Sequence, residues 1–347
     1  MKKVLYVIVS LVAAVAMLAT IVYNTAAGQD AILDRALKAQ FSRSPVAVEG
    51  LRVVVCGSAS PLGNNPDRAQ ACIAVLTPEH FFLFDVGAGS PSRLGQARLP
   101  MGRLDGVFLT HFHSDHIAGL PDVRLASWVQ GRKQSLAVYG PPGINTVIDG
   151  FNLAYSLDNG YRVAHHGSEL LPPAAGVMTA ELFQPGEIAW QDELMTVTSI
   201  EVDHSPISPA VAYRIDYRGR SVVISGDTVA TSALFEAAQG ADLLLHDALS
   251  RPLLDPMSAA ATELNVPVIP TIMTDVIDYH ADSQNLEARA AEAGIKQLAY
   301  YHLVPAPPNA LAEKIFARGL SPETILVHDL QTFDLPANST ELFISDR

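Results

Sequence analysis

Gly106-Val107-Phe108-Leu109-Thr110-His111-Phe112-His113-Ser114-Asp115-His116 is the stretch on which the reading of this chain turns. Residues 106–110 form a short apolar run of strand character, and the apolar periodicity of residues 117–130 predicts a helix behind the cluster. On extended backbone, residues two apart point the same way, so His111 and His113 can grip one ion together. Asp115 and His116 fall at the turn into the helix, where the chain reverses and can aim them at a second position. Imidazole and carboxylate together suit zinc and its first-row neighbours. A packed core would not gather three histidines and an aspartate within six residues, because buried imidazoles need partners and lose solvation.

Working outward, the pattern is one of short strands with helices between them. Upstream, residues 51–56, 72–76 and 81–85 read as strands, with a Gly/Pro/Asn loop at 57–66, a Gly87-Ala88-Gly89 turn and a helix near 91–97. Downstream, 137–139 reads as a strand, and Pro141-Pro142-Gly143 opens a further helix. Residues 151–192 are the least regular part, polar and Pro-rich around 161–176, and are expected to be an insertion near the active-site mouth. Strands are predicted at 195–202, 210–217, 221–225, 243–246 and 298–301, with helices at 232–238 and 285–293. Such alternation on both halves implies an α/β fold of two sheets faced by helices.

The N-terminus differs in kind. Lys2 and Lys3 precede an uncharged apolar run from Val4 to Tyr23, whose 20 residues span about 30 Å as a helix, the thickness of a bilayer core. We read residues 1–28 as a transmembrane anchor, or as a signal segment if Thr25-Ala26-Ala27 serves loosely as a cleavage site. Positive charge ahead of the span, and none behind it until Arg35, sends the remainder out of the cytoplasm. The catalytic part is then inner-membrane anchored and periplasmic, or periplasmic and free after cleavage. Residues 29–50 read as a stalk helix, ended by Ser44 and Pro45, and a linker. Residues 51–335 form one catalytic domain, and 336–347 a tail. Cys56 and Cys72 can pair in an oxidising compartment or remain two buried thiols. A net charge of −13 gives no electrostatic affinity for phosphate backbones, which argues against nucleic acid as a partner.

His-x-His-x-Asp-His after a strand resembles the signature of the metallo-β-lactamase superfamily, and its other motifs follow in order. Phe84-Asp85-Val86-Gly87-Ala88-Gly89 resembles the Asp-Gly loop before the signature, and His204 in Val202-Asp203-His204-Ser205 matches the third histidine. Ser225-Gly226-Asp227-Thr228 resembles the element whose aspartate bridges two ions, and His302 in Tyr301-His302-Leu303 resembles the final histidine. Leu244-Leu245-His246-Asp247-Ala248 and Tyr279-His280-Ala281-Asp282 resemble the His-Glu-Ala and His-Ser-Thr elements of the ribonuclease Z and arylsulfatase-like branch, with Asp in place of Glu in the first.

The resemblance implies a four-layer αβ/βα sandwich and a dinuclear metal-dependent hydrolase. It places one ion on His111, His113 and His204, and the other on Asp115, His116 and His302, with Asp227 shared. The ions are expected to be two Zn2+, with Mn2+ or Fe2+ as substitutes, and a hydroxide between them is the expected nucleophile. Asp115 and Asp227 thereby belong to the catalytic machinery, and His280 is the expected general acid, its pKa open to influence from Asp282. Asp85 and His246 are expected to orient ligands from behind. His165 and His166, in the irregular stretch, are candidates for lining the substrate mouth.

The expected substrate is a small molecule with an ester-type bond: a phosphodiester, sulfate ester, lactone or β-lactam. A ribonuclease Z-like tRNA 3′-end endonuclease is the alternative, and a non-catalytic metal-binding scaffold a second one. Against the tRNA reading, the stretch where ribonuclease Z carries a basic arm holds Asp149, Asp158, Glu169, Glu181 and Glu187 here. A homodimer is compatible with the sequence.

Overall fold

The computed structural model describes residues 2–42 and 47–346, and divides the chain into two compact units, Met1–Val46 and Ala47–Arg347. The first unit holds α1 (Lys2–Asn24) and α2 (Ala26–Phe41), the latter N-capped by Thr25, whose side chain accepts from the Gly28 amide. α1 is the one helix among the described residues long and apolar enough to cross a membrane. Ser44 and Pro45, expected to end the stalk helix, lie outside the described residues.

The second unit begins with β1 (Gly50–Gly57), β2 (Cys72–Leu76), β3 (Phe81–Phe84), α3 (Ser90–Ala97) and β4 (Gly106–Phe108). Then come α4 (Ser114–Ile117), α5 (Leu120–Val129), β5 (Leu136–Gly140), α6 (Ile144–Ala154), α7 (Ser156–His166), β6 (Met178–Leu182) and β7 (Ile188–Gln191). The second half runs β8 (Met195–Glu201), β9 (Val211–Tyr217), β10 (Arg220–Ile224), α8 (Ser232–Ala237), β11 (Leu243–Leu249), α9 (Arg251–Glu263) and α10 (Ile269–Asp275). It closes with α11 (Ser283–Glu292), β12 (Leu298–Val304), α12 (Ala310–Phe316), β13 (Ile325–Leu326), β14 (Thr332–Pro336) and β15 (Phe343–Ser345).

One sheet has the order β15-β14-β1-β2-β3-β4-β5-β6, the other β13-β12-β11-β10-β9-β8-β7. Strand alternation sorts the apolar residues into layers. Val53, Val55, Ile73, Val75, Phe82 and Phe84 of the first sheet pack against Val211, Tyr213, Leu243, Leu245 and Tyr301 of the second. Their neighbours Val54, Ala74, Phe81 and Leu83 pack outward against Leu94, Val123 and Ile148 of the first sheet's helices. Leu244, Ala248 and Tyr300 do the same on the other side, against Leu234, Leu286 and Phe316. The result is the expected four-layer sandwich, helices outside two facing sheets.

Three expectations change. Residues 151–192 are not an irregular insertion. They supply α7, a 3₁₀ turn at Pro173–Gly176, and the edge strands β6 and β7 of the two sheets. Both strands are largely exposed and lack the apolar run that marks a buried strand, so the sequence pattern hides them. Residues 336–347, expected to be a tail outside the catalytic domain, contribute β15, which pairs with β14 in the first sheet. The helix expected over 117–130 is broken at Gly119 into α4 and α5. A Cβ at Gly119 would stand 2.7 Å from a Val86 methyl, so the break is where the chain passes closely beneath the residues after β3.

Candidate metal centre

All but one of the histidines and aspartates of the expected centre lie beyond the carboxyl end of a strand, where α/β sheets open their clefts. Asp85 follows β3, His111 follows β4, His204 follows β8 and Asp227 follows β10, while His113, Asp115 and His116 sit at the start of α4. His302 arrives differently. In the pairing of β11 with β12, Asp247 faces Tyr301 and Ala248 faces Leu303, so His302 is the extra residue of a bulge, with φ of 44°. Regular alternation would keep it on the helix side with Tyr300. The bulge re-aims it.

Two groups result. His111, His113, His204 and Asp227 form one, and Asp115, His116, Asp227 and His302 the other; within each, one ligand atom per residue lies within 4.8 Å of all the rest. Asp227 joins them: its Oδ2 is 3.3 Å from His116 Nε2 and 3.9 Å from both His111 Nε2 and His204 Nε2, and its Oδ1 is 3.3 Å from His302 Nδ1. His302 Nε2 lies 3.0 Å from Asp115 Oδ2. Gly226, left-handed at φ 62°, lets this turn press against Thr110, since a Cβ there would meet the Thr110 Cβ at 2.9 Å. Most members are buried, and His113 is the partly exposed one, so solvent reaches the centre at the first group.

The donor set fits divalent metal. His116 Nε2, Asp227 Oδ1 and His302 Nδ1 are buried without a hydrogen-bond partner, a costly state for polar atoms unless a cation completes them. Electrostatics divide the groups. Burial, and secondarily the neighbouring imidazoles of the cluster, push His111 well below its ordinary pKa, and burial also lowers His113 and His204, so the first group offers neutral imidazoles. In the second group burial would lower His116 and His302, but Asp227 and its carboxylate neighbours raise both. Burial likewise opposes the charge of Asp115 and Asp227, yet the adjacent histidines hold both carboxyls below their usual range. Without metal the second group is thus a proton-neutralised cluster, and an ion entering it displaces protons.

The supporting side chains are also in place. Asp85, itself left-handed at φ 55°, accepts from the Thr110 amide at 2.9 Å, the Thr110 hydroxyl at 2.8 Å and His116 Nδ1 at 2.8 Å. That turns His116 Nε2 towards the centre. His204 Nδ1 donates to the Tyr279 carbonyl at 3.0 Å, leaving Nε2 free to face Asp227.

His280 packs between the two groups, its ring 5.3 Å from that of His204 and 5.5 Å from that of His302. Its partner is Asp247, not Asp282: His280 Nδ1 donates to Asp247 Oδ2 at 2.9 Å, while Asp282 caps α11 by accepting from the Gln284 amide. His246 is likewise corrected. Its Nδ1 bonds the Asp247 carbonyl at 2.8 Å and lies 2.9 Å from Asp247 Oδ1, and its ring stacks on Phe235, so it touches no ligand. On β11 the two neighbours face opposite sides, and Asp247 is the one that reaches His280. Burial would raise the Asp247 carboxyl, but hydrogen bonds from His246 and His280 hold it below its ordinary value. Asp247, the carboxylate bonded to His280, is the candidate that residue-type reasoning passed over; its signal was the place it takes after His246 in a fully buried strand. His165 and His166 end α7, exposed, and α7 bonds Arg124 and Gly176 through Asn159, not any member of the centre.

A beta-lactamase superfamily domain model matches residues 80–302, which contain every residue of both groups. The chain belongs to this superfamily. Within it, this hydrolase is 34% identical over 259 residues to ribonuclease Z of Mycobacterium bovis, spanning 74% of this chain and 87% of that protein. Ribonuclease Z of Mycolicibacterium gilvum is 32% identical over 260 residues. Among solved structures, the metallo-beta-lactamase fold protein YhfI from Bacillus subtilis matches at a TM-score of 0.58 and 20% identity, over 82% of this chain and 98% of its own. The short form of human tRNase Z matches at 0.55 and 20%, over 81% and 98%. This is a metal-dependent hydrolase of the ribonuclease Z branch, with the same sandwich fold as those structures.

Proposed function

We propose that this hydrolase cleaves a small phosphodiester outside the cytoplasm. His111, His113, His204 and Asp227 would hold one zinc ion, and Asp115, His116, His302 and Asp227 a second. The observation that carries the reading is the pair of four-residue groups sharing one buried carboxylate. Divalent ions in such a site polarise the scissile oxygen and make a water nucleophilic near neutral pH.

The protein's own part is orientation and proton traffic. Asp85 and the Tyr279 carbonyl fix the tautomers of His116 and His204, so that each presents Nε2 to the cleft. Asp247 accepts from His280 Nδ1, which leaves His280 Nε2 to hold the proton a departing oxygen needs. Phosphodiester is preferred over sulfate ester, lactone or β-lactam because relatives at 32–34% identity are ribonucleases, whose scissile bond is a phosphodiester.

Those same relatives favour a second reading, a tRNA 3′-end endonuclease, and they weaken the argument from charge against nucleic acid. Three features support the small substrate instead. The segments carrying the centre, 111–119, 203–209, 227–231, 276–282 and 302–307, contain no Lys or Arg. α1 opens on Lys2 and Lys3 and has the length of a membrane span. Cys56 and Cys72 are disulfide-bonded, a state that persists in oxidising compartments. The deciding assay sets metal-loaded full-length protein against bis(p-nitrophenyl) phosphate, sulfate, lactone and β-lactam chromogens, and a 3′-extended tRNA. Phosphodiester turnover without tRNA cleavage is expected. Endonucleolytic trimming of the tRNA would establish the second reading.

A further inference from the structure

Within the Ala47–Arg347 unit, exposed apolar residues gather at the tip of the helical hairpin that α9 and α10 make. α9 starts two residues after the end of β11, and α10 leads through the turn at Val276–Asp278 to Tyr279 and His280, so the hairpin springs from the rim of the centre. Between Glu263 and Asp275 it carries no charge: Leu264-Asn265-Val266-Pro267-Val268-Ile269-Pro270-Thr271-Ile272-Met273-Thr274. Met273 packs inward with Leu249, Leu254 and Val276. Leu264 and Val268 are 75% and 65% exposed, and Val266, Ile269 and Ile272 are exposed as well. Val268 has φ of 70°, a left-handed backbone that is an outlier for a β-branched residue. Glycine or asparagine would relieve that strain in a turn facing only water. The chain keeps valine.

Size and charge choose among occupants. A stable protein contact buries about 800 Å² on each side, more than a few side chains at a hairpin tip supply. A lipid surface sets no such threshold, since each apolar side chain that it buries adds its own contribution. The bilayer is also in reach: if α1 is anchored as proposed above, only residues 25–46 separate it from the Ala47–Arg347 unit, and α2, 16 of those residues, rises about 24 Å as a helix. No Lys or Arg lies between Arg251 and Arg289, and Glu263 and Asp275 flank the tip, so anionic headgroups offer it no attraction.

We propose that the 264–272 tip inserts into the surface of the bilayer that holds α1, by apolar contact and without a requirement for anionic lipid. The protein has no free cysteine among its described residues, so Val268→Cys or Leu264→Cys carries a single environment-sensitive dye. Full-length protein would be reconstituted into phosphatidylcholine vesicles containing nitroxide-labelled lipid, with Leu153→Cys on α6, 77% exposed, as the control position. Quenching at 264 and 268 but not at 153, unchanged in high salt, is the expected result. Equal quenching at all three positions overturns insertion while leaving the anchor intact, and protein that fails to float with the vesicles overturns both. Disulfide-linked dimers of the unlabelled Val268→Cys protein, formed without lipid, would assign the tip to a second copy of the chain.

Discussion

Asp227 is buried between the two groups, its Oδ2 facing His111 and His204 of the first and His116 of the second, and its Oδ1 facing His302. On the proposed dinuclear reading, wild type should carry about two zinc ions per chain by elemental analysis, and Asp227→Ala should lose metal and turnover together; full activity with one ion or none in the wild type would exclude a dinuclear mechanism. Asp85 touches no ion position, and acts through His116. Its replacement by alanine should cost about 10–100-fold in metal affinity, measurable by competition with a chelator. His280 calls for a different comparison. A general acid contributes about 10²–10⁴-fold when the leaving oxygen is strongly basic and little when it leaves as nitrophenolate. His280→Ala should therefore slow alkyl phosphodiesters far more than nitrophenyl ones at unchanged zinc content, and Asp247→Asn should show a weaker version of that pattern through the lost bond to Nδ1. Equal losses on both substrates would remove the acid role.

At the scale of elements, the loop between β1 and β2 backs the bulge that delivers His302. The Leu303 amide donates to the Ser58 carbonyl at 3.0 Å, and the Ala306 amide to the Leu62 carbonyl at 2.6 Å. The Cys56–Cys72 disulfide closes this loop across a separation of 16 residues. Closing a loop of that length in the unfolded chain is worth about 3 kcal/mol. The paired substitution Cys56→Ser with Cys72→Ser is expected to lose about that much in urea denaturation, and reductant should lower the wild type to the same midpoint while leaving the double variant unmoved. The bulge is also the element that alternation could not anticipate. A strand read from sequence as 298–301 stops one residue short of His302, because nothing in Tyr301-His302-Leu303 marks the extra residue; the positive φ is set by the pairing with β11.

Across the whole molecule, buried Arg220 ties the C-terminal segment to the second sheet. Its Nε donates to Asp242 Oδ2 at 3.0 Å, and its Nη1 donates to the Ser339 and Glu341 carbonyls, each at 2.8 Å. Asp242 also accepts from the Ser221 amide at 2.9 Å and from Lys296 Nζ at 2.7 Å. Burial would raise this carboxyl, but the Lys296 and Ser221 hydrogen bonds and Arg220 hold it below its ordinary value. A depressed folded pKa means that the stabilisation is complete above the unfolded value of about 4 and is lost as pH falls below it. Wild-type stability should thus drop below about pH 4, and Asp242→Asn should be less stable at neutral pH with a flatter acid limb, both read from thermal melts across pH. A phosphatase fused to the C-terminus is expected to be active only after export. Activity of a cytoplasmic reporter there instead would return the chain to the tRNA reading.

The sequence by itself determined the types of the candidate ligands and their order, because the spacing in His111-Phe112-His113-Ser114-Asp115-His116 and the single residues His204, Asp227 and His302 are local patterns that survive without coordinates. It also carried the two-sheet architecture, since continuous apolar runs such as Val53-Val54-Val55 and Phe81-Phe82-Leu83-Phe84 fill both faces of buried strands. Tertiary structure alone decided which carboxylate meets His280, because Asp247 and Asp282 both stand near suitable motifs and only the face of β11 chooses between them. It also decided that β6, β7 and β15 are strands at all. Edge strands are half solvated, so their pairing is written in the neighbouring strand's free hydrogen-bonding groups and not in their own apolar pattern.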